Sequence, residues 1–209
     1  MRRSAALLLT AVFVAGCGSA APGKGSHPST PIHRADGGIP ASLLAGERPI
    51  GRGPRFQPPV AGPVPGSCTV PLGRRLQAHI EVFGANRVVL LPAGIGTRAP
   101  RQFEDGRLMR AACFGDLVTL DPTGSVYFRP GKRLTVGDLF TAWGQRLTGT
   151  GIASFTGDRV RVYVDGRAWS GSPRAVPLTD RAEIVLEVGP HVPPHTRFTF
   201  PRAPSPQLG

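Results

Sequence analysis

The sequence predicts a small α+β domain, mostly β, made of antiparallel hairpins with one short helix. Three observations carry that expectation. Turn formers are dense, with 28 Gly and 23 Pro in 209 residues, which excludes a helical bundle or coiled coil. Short alternating segments recur between turn signals, and one segment alone has helical periodicity. Hydrophobic residues make up 40% of the chain and aromatics 7%, enough for one modest core but not for two large domains. Within this class the expected arrangement is β-grasp-like.

The elements follow in order from Cys68. Ala78 to Phe83 alternates apolar and polar, and after the turn-prone Gly84-Ala85-Asn86 the run Val88 to Leu91 returns as the second strand of a hairpin. Asp116 to Leu120 and Ser125 to Arg129 form a second pair around Asp121-Pro122-Thr123-Gly124, a strong turn tetrapeptide. The helix covers about 136–143. Thr135 can cap it, Asp138 completes a capping box, and Val136, Leu139, Phe140 and Trp143 fall on one face before Gly144. A third hairpin has Arg159 to Val164, a turn at Asp165-Gly166, and Arg167 to Trp169, and the last strand is Glu183 to Val188. The folded unit is expected over 68–200, with 201–209 a disordered tail.

The N-terminus reads as an export signal. Arg2 and Arg3 precede an apolar stretch from Ala5 to Val14, too short for a permanent span, and then comes Val14-Ala15-Gly16-Cys17. This tetrapeptide resembles the lipobox of bacterial lipoproteins. The resemblance implies a signal peptide over 1–16, cleavage before Cys17, diacylglyceryl and fatty acyl chains on Cys17, and attachment to the outer face of the cytoplasmic membrane. Two chains hold stably where one binds reversibly, at about 0.8 kcal/mol per buried methylene. The segment from Gly18 to Ser67 contains 10 Pro and 10 Gly and no sustained apolar period. With Cys17 it reads as a disordered tether (17–67) of root-mean-square reach ~40 Å.

Lys and Arg total 25 against 13 Asp and Glu, for a net charge of +12, and loss of Arg2 and Arg3 would leave +10. No run of like charge and no interleaving of basic and aromatic residues marks a nucleic-acid module, so no nucleic-acid partner is expected. The counter-charges expected for an exported chain are anionic lipid head groups, wall polymers and acidic glycolipids, and the expected partner is an anionic envelope polymer or an envelope protein.

With Cys17 assigned to lipid, Cys68 and Cys113 remain as an even pair in a compartment that permits disulfides. A bond between them would close a loop of about 45 residues and stabilise the fold by roughly 3 to 4 kcal/mol. Of the five histidines, His27 and His33 fall in the tether. His191-Val-Pro-Pro-His195 has ligand-like spacing that prolines keep off a helix face, and His79 alternates in a strand and could join that pair. His79, His191 and His195 are thus candidate metal ligands, although their spacing alone nominates no metal site and no cofactor. Glu81, Asp116, Asp138 and Asp165 are explained one by one by strand faces, caps and turns. No nucleophile elbow, phosphate loop or zinc-protease motif occurs. Trp143 belongs to the core, and Trp169, after a hairpin turn, is a candidate for stacking on a carbohydrate.

Residues 76–200, about six tenths of the chain, also resemble an uncharacterised group of exported actinobacterial proteins. The likeness runs through Pro92-Ala-Gly-Ile-Gly96, Leu134-Thr-Val-Gly-Asp-Leu-Phe-Thr-Ala-Trp-Gly-Gln145, Val162-Tyr-Val-Asp-Gly166 and Glu183-Ile-Val-Leu-Glu-Val-Gly189. The resemblance implies a metal site built from a His-x-His-x-His before the first hairpin and a His-Thr-His after the second cysteine. Here those positions read Arg75, Gln77 and His79, then Val118, Thr119 and Leu120, so the implied site is lost. The expected function is a lipid-anchored, non-enzymatic binding or structural module. The alternatives are a metal-binding exported protein for copper or zinc, and an envelope hydrolase or transferase with an unfamiliar site.

Overall fold

The segment with the clearest alternation becomes the centre of the sheet. The computed structural model describes residues 49–191, 193–195 and 197–208. In it, β1 (Leu76–Gly84) is followed by the two-residue β2 (Arg87–Val88), the hairpin β3 (Thr97–Glu104) and β4 (Arg107–Phe114), then β5 (Leu117–Thr119) and β6 (Ser125–Phe128). Helix α1 (Val136–Trp143) follows, then β7 (Gly151–Ile152), β8 (Phe155–Thr156), β9 (Val160–Val164), β10 (Arg167–Ala168), a 3-10 turn at Pro173–Ala175, and β11 (Glu183–Val188). The seven-stranded sheet runs β10-β9-β11-β1-β6-β5, with β2 paired to β1.

β1 is antiparallel to β6 but parallel to β11, which reaches the centre only after the helix has crossed. Two hairpins flanking a parallel central pair, with a helix in the connection, is the β-grasp-like arrangement. The helix forms for the reasons legible in its residues. The Thr135 side chain accepts from the Asp138 N–H, Asp138 Oδ2 accepts from the Thr135 N–H at 2.8 Å, and Gly144 ends the helix. Its apolar face, with Leu139, Phe140 and Trp143 fully buried, meets Ala78, Ile80 and Val82 of β1 together with Ile184 and Leu186 of β11. This is the main core.

Two hairpins escape the sequence reading. β3–β4 carries mostly exposed residues, so no alternation toward a core marks it. It is held by Leu108 and Phe114, which join Val118, Leu120 and Tyr127 in a second core on the opposite face of the sheet. The Cys68–Cys113 disulfide, with Cα atoms 5.3 Å apart, ties the end of this hairpin to the segment leading into β1. β7–β8 is too short to show a period. Val88 to Leu91, expected to be a full strand, pairs only over β2, and Val89 and Leu91 then turn into the main core.

The folded unit also begins before Cys68 and ends after Phe200. Residues from Pro49 onward, placed by composition in the tether, run along the domain. Leu90 N–H donates to Phe56 O, Ala61 N–H to Trp143 O, and Asp116 N–H to Pro65 O. The Trp143 indole donates to Pro58 O at 3.1 Å. A Cβ on Gly62 would sit 2.0 Å from Thr141 O, so only glycine allows the backbone this close to the end of the helix. At the other end, Leu72 N–H bonds to Leu208 O and Gly73 N–H to Pro206 O, and Leu208 packs on the second core. Composition registers a lack of period, but the hydrogen-bond partners that order these segments are remote in sequence. The signal segment and Cys17 lie outside the described residues. Among the described residues, no helix is long and apolar enough to cross a membrane.

Candidate functional site

Strand alternation places a row of polar side chains on the sheet face away from the helix. β1 contributes Gln77, His79 and Glu81, and β11 contributes Glu183 and Glu187, with His79 in register with Glu183 across the parallel pair. Most of this row is deeply buried: side-chain exposure is 7% for His79, 2% for Glu183 and 0% for Glu187, with Glu81 at 18%. After β11 the chain turns back, and its described residues as far as Pro201 cover this face as a strap. Phe198 stacks on the His79 ring, centroids 3.6 Å apart and planes within 4°, and Phe198 meets Phe200 edge-on.

The two nitrogens of His79 have different partners. Nε2 lies 2.9 Å from Thr123 O, an acceptor only, so Nε2 carries a hydrogen. The turn Asp121–Gly124 delivers that carbonyl. A Cβ on Gly124 would come within 2.9 Å of Nε2, and its φ of 85° suits glycine. Nδ1 faces the Glu183 carboxyl, 2.9 Å from Oε2 and 3.0 Å from Oε1. One proton between Nδ1 and the carboxylate completes that contact, shared by an imidazolium and a carboxylate or by a neutral ring and a carboxylic acid. Burial pushes the Glu183 carboxyl above its usual range, while its hydrogen bond to His79 and the ring's charge pull the other way.

The other histidines repeat the pairing. His195 Nδ1 is 2.7 Å from Glu81 Oε1, and His191 Nδ1 is 2.8 Å from Glu187 Oε1, which Arg161 also approaches at 3.5 Å. Glu81 Oε2 is buried with no hydrogen-bond partner among the described residues. The structure thus brings His79, His191 and His195 to one face, each against a glutamate that spacing did not connect to it. One ligand atom from each of His79, Glu81 and Glu183 lies within 4.8 Å of the others, making a cluster with the chemistry of a metal-binding group. Ligand atoms around a tetrahedral zinc ion sit ~3.4 Å apart, so an ion would need the His79–Glu183 pair, 2.9 Å apart, to open slightly and give up its shared proton, with Glu81 drawing in. The Nε2–H of His79 is held by a backbone carbonyl, the kind of outer contact that would orient the imidazole and leave Nδ1 available to an ion.

The remaining candidates separate. Asp116 pairs with Arg129 at 3.2 Å and Lys132 at 3.4 Å, Asp138 caps α1, and Asp165 Oδ1 accepts from the Glu183 N–H at 2.9 Å. None of them joins the row. Trp169 is 36% exposed at the β10 edge, its indole N–H donating to Ser172 O. Arg75 is buried and donates to the carbonyls of Leu72, Gly115 and Asp116. Desolvation by burial, with Arg129 nearby, lowers its pKa to about 10. Glutamates 183 and 187 are the residues the sequence reading missed. The available signal was the odd charge in Glu-Ile-Val-Leu-Glu-Val, a strand buried on both faces. Comparison of the chain with known protein families, curated proteins and solved structures finds no match.

Proposed function

We propose that this chain is a lipid-anchored envelope protein displaying a non-enzymatic module that binds a divalent transition-metal ion. Nδ1 of His79 and the carboxylates of Glu81 and Glu183 are the ligands, and the strap, through His195, closes over them. One observation supports the metal reading above the rest: His79 is pinned through Nε2–H to Thr123 O with Nδ1 against Glu183, and Glu81, whose Oε2 is buried with no hydrogen-bond partner among the described residues, stands in the same cluster. Imidazole nitrogen with carboxylate oxygen suits zinc, manganese or ferrous iron and disfavours cuprous copper, which prefers sulfur. Anchoring through Cys17 rests on the lipobox resemblance and the export layout before it.

Calorimetric titration of the full chain with Zn²⁺ tests the metal reading. Binding should be tight in the parent and about 100-fold weaker or worse in His79→Ala and Glu81→Gln, with circular dichroism reporting that each variant folds. No heat above buffer at micromolar protein would leave the His–Glu pairs as fasteners of the strap. The protein would then read as a display module without metal. Intact-mass analysis of the membrane fraction tests the anchor, and a chain retaining Met1 or an unmodified Cys17 would remove it.

A further inference from the structure

We infer that a cleft at the start of β1, separate from the metal-ligand cluster, binds a phosphate-bearing polyol. The cleft has a volume of ≈ 510 Å³ and is bounded by the chain entering β1, the loop before β11 and the strap from Phe200 to Ala203. Arg74, Arg181 and Arg202 line it, all exposed. Among the described residues no carboxylate lies within ion-pairing distance of any of the three. The one acidic residue in the lining, Asp180, already accepts the Gln77 N–H at 3.1 Å. Arg181 sits over the Phe200 ring, 5.1 Å from its centroid, which holds a guanidinium at the rim. Three guanidinium groups without carboxylate partners around one cleft suit a tetrahedral oxyanion, which they can bind through charge-assisted hydrogen bonds.

A second observation specifies the rest of the ligand. Gln77 lines the same cleft and is 7% exposed. Its Nε2 donates to Pro201 O at 3.1 Å, which fixes the amide orientation, and its Oε1 is buried with no partner among the described residues. A buried acceptor left unpaired costs about 1–3 kcal/mol, and a hydroxyl donor admitted by a small shift of the cleft wall would relieve it. An ionised phosphate is an acceptor, whereas a hydroxyl beside it on a polyol can donate. Glycerol phosphate combines both features, as a soluble molecule or as the head group of an anionic lipid.

The test titrates the full chain with sn-glycerol 1-phosphate, inorganic phosphate and glycerol, and in parallel sediments it with vesicles of phosphatidylglycerol or phosphatidylcholine. Glycerol phosphate should bind, inorganic phosphate should bind about tenfold more weakly, and glycerol should not bind. Arg181→Ala and Arg202→Ala should each lower affinity about tenfold, and because both are exposed they leave the fold intact. Gln77→Met should erase the difference between glycerol phosphate and inorganic phosphate while keeping the latter's affinity. Sedimentation with phosphatidylglycerol vesicles, reversed by free glycerol phosphate and lost in the arginine variants, assigns the head group; binding of the free compound alone assigns the soluble source. No heat from glycerol phosphate at millimolar concentration, or unchanged affinity in the Arg181→Ala/Arg202→Ala double variant, would overturn the proposal. Zinc binding is read separately, so either proposal can fail without the other.

Discussion

The two faces of the central sheet are built from alternate residues of the same strands, yet they are buried by different physics. On the helix side Ile80, Val82, Ile184 and Leu186 meet Leu139, Phe140 and Trp143, and apolar area removed from water does the work without directional demands. On the other side His79, Glu183 and Glu187 are buried and Glu81 partly so, and each has a particular partner: His79 and Glu183 each other, Glu81 His195, and Glu187 both His191 and Arg161. An apolar face tolerates any well-shaped cover, whereas a polar face folds stably only when its cover supplies complementary groups. That demand explains why the strap after β11 takes a defined path, with histidines at the glutamates and Phe198 over His79.

The largest expected effect belongs to the apolar face. Phe140→Ala opens a cavity under the sheet and should cost about 4 kcal/mol in urea unfolding. An effect below about 1 kcal/mol would mean the helix packs more loosely than its full burial implies. Next is the covalent fastening of the second core: replacing Cys68 and Cys113 together by Ser should cost about 3 to 4 kcal/mol by chain entropy.

His79→Leu, which leaves Glu183 buried against an apolar side chain, should cost about 3 kcal/mol. The double variant His79→Leu/Glu183→Leu should recover much of that loss, because removing both charges removes the uncompensated one. Failure to recover would show that the polar pair is needed to dock the strap, and would sharpen the contrast between the faces. The smallest effect is at the cap. Thr135→Ala should cost about 1 kcal/mol, since one helix N–H loses its acceptor while the packed face is untouched.

The legible elements are those whose signal is local. The capping box of Thr135 and Asp138, the turn at Asp121–Gly124 and the alternation of Ala78 to Phe83 all specify their structure within a few residues. The β3–β4 hairpin was not legible, because its outward residues carry no core period and it is bound inward mainly by Leu108, Phe114 and the Cys113 disulfide. The approach segment from Pro49 and the end segment to Leu208 were hidden for a related reason: single backbone hydrogen bonds to remote carbonyls and amides order them.

At the candidate site the sequence offered the three histidines and one glutamate as separate residues. It could not join them, since Glu183 is 104 positions from His79 and Glu81 is 114 from His195. The sequence by itself determined the hairpins turning at Asp121–Gly124 and Asp165–Gly166, the helix and the face of β1 on which His79 and Glu81 stand, because periodicity and turn chemistry act over short spans. Tertiary structure alone decided that β11 enters parallel to β1 and that the strap returns across the polar face. A buried charge is stabilised by whatever complementary group folding brings to it, and sequence separation sets no limit on that encounter.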